Sequence, residues 1–313
     1  LEASSAASDV YKRQLRNLSI VDRTLELIGS ESLDIDNLKL DDEKTFKLFA
    51  EGKMTGVFQL ESRVAQSTSR SLKPKRFEDI VALVALIRPG PLGAGMHNEF
   101  ADRANNRKEI EYLHSDLESI LNETYGVILY QEQVMQIAEK IAGFNLQEAD
   151  NLRVAMGKKI PKVMEEQRKK FTDGAVSNNY SEQFAIELFD QIAYFAGYGF
   201  NKSHSVPYAL LAYQTAYLKA NYPAEYIAAC LTAVKRDKDR TAIFLSEARD
   251  MGVKVSTPDV NLSSSDFTVN DNEILFGLSA VRNVGDITAD KIVFERESNG
   301  DFKSIEELSL IHI

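Results

Sequence analysis

The sequence predicts a mainly α-helical protein that ends in a small module with strands. Most segments up to residue 252 repeat apolar residues at three- and four-residue spacing, which is typical of amphipathic helices. With 44% apolar and 27% charged residues among 313, the composition is that of an ordinary globular protein. Strand patterns occur only in DFTVND and NEILFGL, on either side of an Asn-rich turn. We therefore expect a large helical domain followed by a short β-hairpin.

The predicted helices follow one another with ordinary start and stop signals. Asn17–Gly29 ends on a glycine, and DDEKTFKLFAEG begins with acidic residues and ends on Gly52. The other predicted helices are Phe77–Leu86, Tyr130–Ala142, Leu146–Met156, Pro161–Ala175, Ser181–Phe195, Val206–Ala220, Ala224–Val234 and Thr241–Met251. No internal repeat is visible, so this is not a repeat array.

Both ends of the chain differ from the rest. Residues 1–14 and 309–313 are interpreted as a non-native leader and tail, with frayed native termini as the alternative. The single cysteine, Cys230, fits a reducing compartment, and a cytoplasmic protein without a membrane span is expected. The net charge of −10 argues against a uniformly basic nucleic-acid binder but allows a local basic groove.

Several connecting stretches mix apolar, basic and hydrogen-bonding residues. GVFQLESR (56–63) and ALIRPGPLGAGM (85–96) are interpreted as loops, and Arg88 stands at the entrance of the second. Residues 152–170 carry seven Lys/Arg and two Glu, a local charge of +5. This contrast favours a surface that faces phosphates, and a solvated helix face is the alternative.

The stretch FAGYGFNKSHS (195–205) concentrates the most varied chemistry. We expect Ser205 to cap a helix that has Pro207 in its first turn, so that Lys202, Ser203 and His204 lie at a helix N-terminus that favours an anion. Phe200 or Tyr198 offers a ring for stacking. This combination indicates nucleotide recognition, whereas a lone histidine here is more often a structural hydrogen-bonding group.

Five of these motifs together resemble a known family. GVFQLESR, LVALIRPGPLGAGM, YGVILYQEQVMQIA, LRVAMGKK and FAGYGFNKSHSVPYALLAYQTAYLKANYPAEY are similar, in this order, to the bacterial DNA polymerase III alpha subunits, the C family of replicative polymerases. The resemblance implies a multi-helix fingers domain at 15–252 and, at 253–308, a DNA-binding module with a helix-hairpin-helix.

The resemblance also implies site residues. Arg153, Lys158 and Lys159 would belong to a basic loop near the triphosphate of the incoming deoxynucleotide, with Lys202, Ser203 and His204 beside its sugar and phosphates. Where the family commonly has LRRAMGKK, Val154 replaces the second arginine, so the triphosphate contact depends more on Arg153.

A DNA contact is implied in LSAVRNVGDITADKIV (278–293). It resembles a helix-hairpin-helix with Asn283, Val284 and Gly285 in the hairpin, where N–H groups bind phosphates without reading sequence. Asn283 stands where glycine is usual, and an ordinary helical pair is the alternative. Arg88 is a further candidate for contacting DNA.

The resemblance assigns no catalytic residue to this chain. The family holds Mg²⁺ on aspartates, two of them upstream of the matched region, and Tyr11 takes the place of the third. Asp34 and Asp36 of LDIDN match a variable loop. We expect an inactive fragment whose parent enzyme uses Mg²⁺, deoxynucleoside triphosphates, primer–template DNA and replisome subunits including the sliding clamp. A non-catalytic helical module that binds DNA or a replisome protein is the alternative.

Overall fold

The computed structural model of the chain describes residues 16–29, 33–158, 161–195 and 199–309, with only the backbone at 158. The predicted leader 1–14, residues 310–313 of the predicted tail, Lys159 and Tyr198 lie outside the described residues. The described part is mainly helical with one small sheet, which confirms the predicted fold class. No helix within it is long and apolar enough to cross a bilayer.

The α-helices of the described residues are numbered in chain order. They are α1 (16–28), α2 (Glu43–Glu51), α3 (Arg63–Leu72), α4 (Phe77–Leu86), α5 (Pro89–Gly93), α6 (Met96–Ala104), α7 (Glu118–Leu121), α8 (Gln131–Ala142), α9 (Leu146–Lys158), α10 (Pro161–Ser177), α11 (Glu182–Phe195), α12 (Lys202–Asn221), α13 (Pro223–Val234), α14 (Lys238–Asp250), α15 (Asp286–Asn299) and α16 (Ile305–Ser309).

The chain forms two compact units. One comprises Phe46–Met54 and Gln59–Tyr213, and the other comprises the described residues of Leu1–Thr45, Thr55–Phe58 and Gln214–Ile313. The predicted domain boundaries, 15–252 and 253–308, stay a prediction.

The core of the first unit is built where α8, α9, α10 and α11 meet. Ile137, Leu152, Phe171 and Ile192 are fully buried there. A Cβ atom on Gly174 would lie 2.2 Å from the carbonyl oxygen of Ala142, so α10 approaches the end of α8 at a distance that only glycine allows. Each of these four helices thus turns its apolar side toward one shared core, in agreement with the predicted apolar spacing.

The second unit combines α13 and α14 with the sheet. β2 (Thr268–Asn270) and β3 (Glu273–Leu275) are antiparallel, and the connecting residues Asp271 and Asn272 have φ values of 46° and 66°. The predicted hairpin with an Asn-rich turn is therefore confirmed, because Asn and Asp tolerate this left-handed conformation. A third strand, β1 (Lys254–Val255), pairs in parallel with β3 and was too short to be predicted.

Four helices of the first unit, α3, α5, α6 and α7, were not predicted. The helix α3 was missed because its buried positions, Ala65, Thr68, Ser69 and Leu72, have helical spacing but include two polar residues. The predicted loop 85–96 contains the short helix α5. Pro89 opens α5, where the N–H that proline lacks has no helical partner anyway.

Candidate functional site

The N-terminus of α12 carries the predicted residues Lys202, Ser203 and His204 in its first turn. The side chain of Asn201 accepts a hydrogen bond from the His204 N–H at 3.2 Å. Both carboxylate oxygens of Glu132, the second residue of α8, accept from the Lys202 N–H at 2.9 Å, and Oε1 lies 3.4 Å from the Ser203 nitrogen. The anion at this terminus is therefore a carboxylate of the protein itself.

The predicted start of this helix was wrong. We expected Ser205 to cap it, but α12 begins three residues earlier, and Ser205 is fully buried with its hydroxyl donating to the Val81 carbonyl at 2.7 Å. Pro207 consequently lies in the second turn, inside the helix. The cap is instead Asn201, whose side chain accepts from the His204 N–H, while Glu132 binds the N–H groups of Lys202 and Ser203 from a distance.

The ammonium group of Lys202 is paired. Its Nζ donates to Glu123 at 2.7 Å and lies 5.6 Å from the centre of the Tyr130 ring. Tyr130 is almost fully buried, its hydroxyl has no hydrogen-bond partner among the described residues, and burial together with Glu123 and Glu132 raises its pKa. Two carboxylates thus lie near Lys202, one of the lysines that were expected to meet phosphates.

A row of planar side chains runs along the first turns of α12. The Arg88 guanidinium lies 4.2 Å from the centre of the Phe200 ring, and burial lowers the pKa of Arg88. The His204 ring lies 5.8 Å from Phe200 and 4.7 Å from Tyr208, centroid to centroid. Because His204 is exposed, the row presents one accessible ring on which a planar group can stack.

Arg153 projects from α9 toward the start of α8. Its guanidinium contacts Asp150 at 2.8 Å and lies 3.5 Å from the side-chain oxygen of Gln131. The Gln131 N–H donates to the Phe200 carbonyl at 2.9 Å, so Arg153 and the residues before α12 contact the same glutamine. Lys158 is described only as the last residue of α9, and Lys159 lies outside the described residues.

The basic stretch 152–170 is partly neutralised by acids from outside it. Arg153 pairs with Asp150, Lys170 pairs with Glu148 at 2.7 Å, and Arg168 pairs with Asp190. The local charge of +5 counted along the sequence therefore overstates the positive field at this surface, because Asp150, Glu148 and Asp190 offset three of its cations.

Asn283, Val284 and Gly285, the predicted hairpin residues, directly precede α15. Asn283 has a φ of 67°, the Val284 N–H donates to the Val281 carbonyl, and Gly285 is the N-cap of α15. The left-handed φ explains why glycine is usual at this position, and asparagine also tolerates it. Ala289 and Ile292 pack against Leu278, as expected for the second helix of the motif.

Acidic and basic residues surround the same hairpin. Asp286, the first residue of α15, pairs with Lys235 at 2.5 Å and also with Arg236. Hydrogen bonds from these two cations hold the pKa of Asp286 below its usual range. A DNA phosphate at this helix terminus would therefore lie near a carboxylate that two cations already offset.

The described residues do not suit Mg²⁺. In that part of the chain no three His, Cys, Asp or Glu residues are grouped as metal ligands. The Asp34 carboxylate instead accepts from the Asp36 N–H at 3.1 Å and the Asn37 amide at 2.7 Å, and the Asn37 bond lowers its pKa. It caps the 3₁₀ turn Ile35–Asn37, which is an ordinary structural use of this pattern.

Sequence reasoning missed the acids and amides that hold the site. Glu123, Gln131 and Glu132 all contact residues that follow some 70 to 80 positions later. The motif YQEQ was noticed as the start of a helix, but local spacing carries no signal for a partner at that separation.

The chain matches two family models. Residues 17–179 match the bacterial DNA polymerase III alpha subunit finger domain, and residues 252–310 match a helix-hairpin-helix motif. The second match includes the hairpin and α15.

Curated proteins named DNA polymerase III subunit alpha match nearly the whole chain. The one from Saccharopolyspora erythraea is 47% identical over 300 residues, covering 94% of this chain and 25% of the relative. Those from Thermus aquaticus and Escherichia coli K12 are 48% and 45% identical, covering 93% and 94% of this chain and 24% and 26% of the relative. The chain thus spans about a quarter of the length of these relatives. It belongs to the bacterial DNA polymerase III alpha subunit family, of which it carries the finger domain and the helix-hairpin-helix.

Proposed function

We propose that this chain is the part of a replicative DNA polymerase that binds the incoming deoxynucleoside triphosphate and the primer–template. The parent enzyme would catalyse template-directed nucleotidyl transfer, as the names of the relatives suggest. The observation that carries the proposal is the exposed His204 ring at the N-terminus of α12, whose centre lies 4.7 Å from that of the tilted Tyr208 ring.

The nucleotide site combines stacking with positive charge. A base on an aromatic ring gains about 1–3 kcal/mol and needs no sequence-specific contact. The side chain of Arg153 is 35% exposed and can turn from Asp150 to a triphosphate, which is a stronger bidentate partner. Lys158, Lys159, Lys202 and Ser203 belong to the same proposed site.

DNA binding is proposed at two places. The hairpin Asn283, Val284 and Gly285 precedes α15, whose first N–H groups have no helical acceptor and can bind a phosphate. Arg88 is the second place, where the guanidinium stacked on Phe200 can meet the template strand. Neither contact reads bases, as replication of any sequence requires.

The catalytic metal site is proposed to lie in the rest of the parent enzyme. There Mg²⁺ would activate the primer hydroxyl and stabilise the leaving pyrophosphate. This chain alone would then bind its ligands without extending a primer. The sliding clamp and the other replisome subunits are proposed partners of the parent.

The test is a fluorescence titration of the purified chain with a labelled primer–template, with and without the next complementary deoxynucleotide, followed by primer extension with Mg²⁺. We expect the correct nucleotide to tighten DNA binding and no extension to occur. His204→Ala and Arg153→Ala should each weaken the nucleotide effect about 10-fold or more, whereas Arg107→Ala, a surface control paired with Asp102, should not. Extension by the chain, or no nucleotide effect, would contradict the proposal.

A second candidate is a helical module that binds DNA or a replisome protein without a nucleotide. The pairing of Lys202 with Glu123 and of Arg153 with Asp150 favours it, because both cations are already satisfied. In that case DNA binding would be the same with and without nucleotide, and the His204→Ala and Arg153→Ala variants would bind DNA like the unmodified chain.

A further inference from the structure

The first residues of α8 contact both sides of the proposed nucleotide site. Tyr130 and Phe200 form a short parallel bridge, in which the Gln131 N–H donates to the Phe200 carbonyl at 2.9 Å. The Gln131 side chain donates to the Gly199 carbonyl at 3.3 Å, and its oxygen lies 3.5 Å from Arg153. The segment before α12 is therefore held on α8 through main-chain and side-chain bonds.

The strongest of these contacts is made by Glu132. Its two oxygens accept from the Lys202 N–H at 2.9 Å, and Oε1 also lies 3.4 Å and 3.5 Å from the nitrogen and hydroxyl of Ser203. A carboxylate on free N–H groups at a helix N-terminus gains from both the charge-assisted bonds and the helix dipole. A residue of another helix thus binds the first two N–H groups of α12.

This turn sets the place of His204. The His204 N–H donates to the side chain of Asn201, and His204 directly follows the two residues whose N–H groups Glu132 binds. The His204 ring lies one helical turn after Phe200. If Glu132 releases the turn, the His204 ring loses its defined position over Tyr208. Glu123 adds a second restraint by holding the Lys202 ammonium at 2.7 Å.

We propose that Glu132 is a positioning residue of the nucleotide site: it holds the first turn of α12 so that His204 is presented to the ligand. The inference rests on the proposed nucleotide-binding function and adds how the site is assembled. The position of Glu132 also predicts on which side of the site the phosphates lie. A phosphate that approaches the α12 terminus meets the Glu132 charge, so the triphosphate lies toward Arg153 and the base and sugar lie along α12.

The first test needs no ligand. We would compare Glu132→Ala and Glu132→Gln in the 313-residue chain, with Glu139→Ala as the control that removes the same charge two turns further along α8. Amide hydrogen exchange at Lys202 and Ser203 should speed up about 10-fold or more in Glu132→Ala, and the His204 ring resonances should shift. Glu132→Gln should restore part of the protection because its amide oxygen still accepts one bond. Unchanged exchange and His204 resonances in Glu132→Ala would overturn the proposal.

The second test separates positioning from competition with phosphate. Affinities for the deoxynucleoside triphosphate and for the deoxynucleoside without phosphates are measured on the primer–template complex. A positioning role lowers both by the same factor in Glu132→Ala, about 10-fold, and Glu132→Gln recovers part of each. A rise in triphosphate affinity alone would mean that Glu132 merely occupies a phosphate site, which overturns the proposal. If the unmodified chain binds no nucleotide, the proposed function fails, and the exchange experiment still decides the role of Glu132.

Discussion

At the scale of single residues, Asp79 organises the loop that carries Glu123. Asp79 is buried and accepts from the Lys75 N–H at 2.9 Å, from the Arg76 side chain at 3.2 Å and from the Tyr125 hydroxyl at 2.9 Å. Arg76 also donates to the Glu123 carbonyl at 2.6 Å and lies over the Tyr125 ring. Such a network stabilises only when each member is paired, because a buried carboxylate left without donors costs several kcal/mol.

Tyr125→Phe should destabilise the protein by about 2 kcal/mol at pH 7, because one hydrogen bond to a charged group is lost. Burial and the neighbouring Asp79 raise the pKa of Tyr125 to about 12. A raised pKa means that the stabilisation is present below the unfolded value of about 10 and is lost as the pH rises from there toward 12. Urea unfolding of both proteins at pH 7 and pH 10.5 would check this.

The difference in the free energy of unfolding between the unmodified chain and Tyr125→Phe should be smaller at pH 10.5 than at pH 7. Tyr112→Phe is the control, since the pKa of that hydroxyl is raised mainly by burial. A Tyr125→Phe protein as stable as the unmodified chain at pH 7 would show that the Asp79 network does not depend on this hydroxyl.

The residues of the candidate site illustrate what sequence can and cannot supply. Lys202, Ser203 and His204 were predicted to lie at a helix N-terminus, and they do, because that inference needs only the local chain. Their carboxylate partners, Glu123 and Glu132, were not predicted, because ion pairs between distant segments depend on packing that local spacing does not encode. The predicted roles of these residues in nucleotide binding stay predictions.

At the scale of helices and strands, the accuracy of the prediction followed the strength of the apolar pattern. The helices α8 to α11 were predicted within a few residues because their apolar residues repeat over three turns or more. The start of α12 was predicted four residues late because Asn201, not Ser205, caps it, and Glu132 binds its first N–H groups from a distant helix. The helix α3 was missed because Thr68 and Ser69 occupy two of its four buried positions.

Lys235 and Arg236 attach the start of α15 to the end of α13. Lys235, directly after α13, donates to Asp266 at 2.6 Å, to Ser279 at 2.9 Å and to Asp286 at 2.5 Å. Partial burial favours the neutral amine, but the hydrogen bonds to Asp266 and Asp286 raise the pKa of Lys235 overall. These bonds fix the start of α15, and with it the hairpin that is proposed to bind DNA.

Lys235→Met should therefore loosen this hairpin. We expect the free energy of unfolding to fall by about 1–2 kcal/mol, because three bonds are lost and two partly exposed carboxylates remain. The raised pKa of Lys235 and the lowered pKa of Asp286 keep both groups charged between about pH 5 and 10, so the loss should be equal at pH 6 and pH 9. Urea titrations measure it, with the exposed Lys238→Met as the control. If Lys235→Met and Lys238→Met are equally stable, the bonds of Lys235 do not stabilise the start of α15.

At the scale of the whole molecule, charge and length limit what the chain does by itself. Its net charge of −10 repels DNA at long range, so any binding must come from a few local contacts. The relatives are about four times longer, and the remaining length can supply further phosphate contacts. The fragment should therefore bind DNA more weakly than its parent, and with a smaller dependence on salt.

The salt dependence of DNA binding measures how many phosphates the chain contacts. With contacts limited to the hairpin and a few basic side chains, about three phosphates, log Kd should rise with log salt with a slope of about 3. Fluorescence anisotropy of a labelled primer–template, measured from about 50 to about 200 mM salt, would give the slope. Arg88→Ala should lower it by about 1 if Arg88 binds a phosphate, whereas Arg107→Ala, whose guanidinium contacts Asp102, should leave it unchanged. An unchanged slope in Arg88→Ala would mean that this guanidinium serves only to support the Phe200 ring, and DNA binding would then rest on the hairpin.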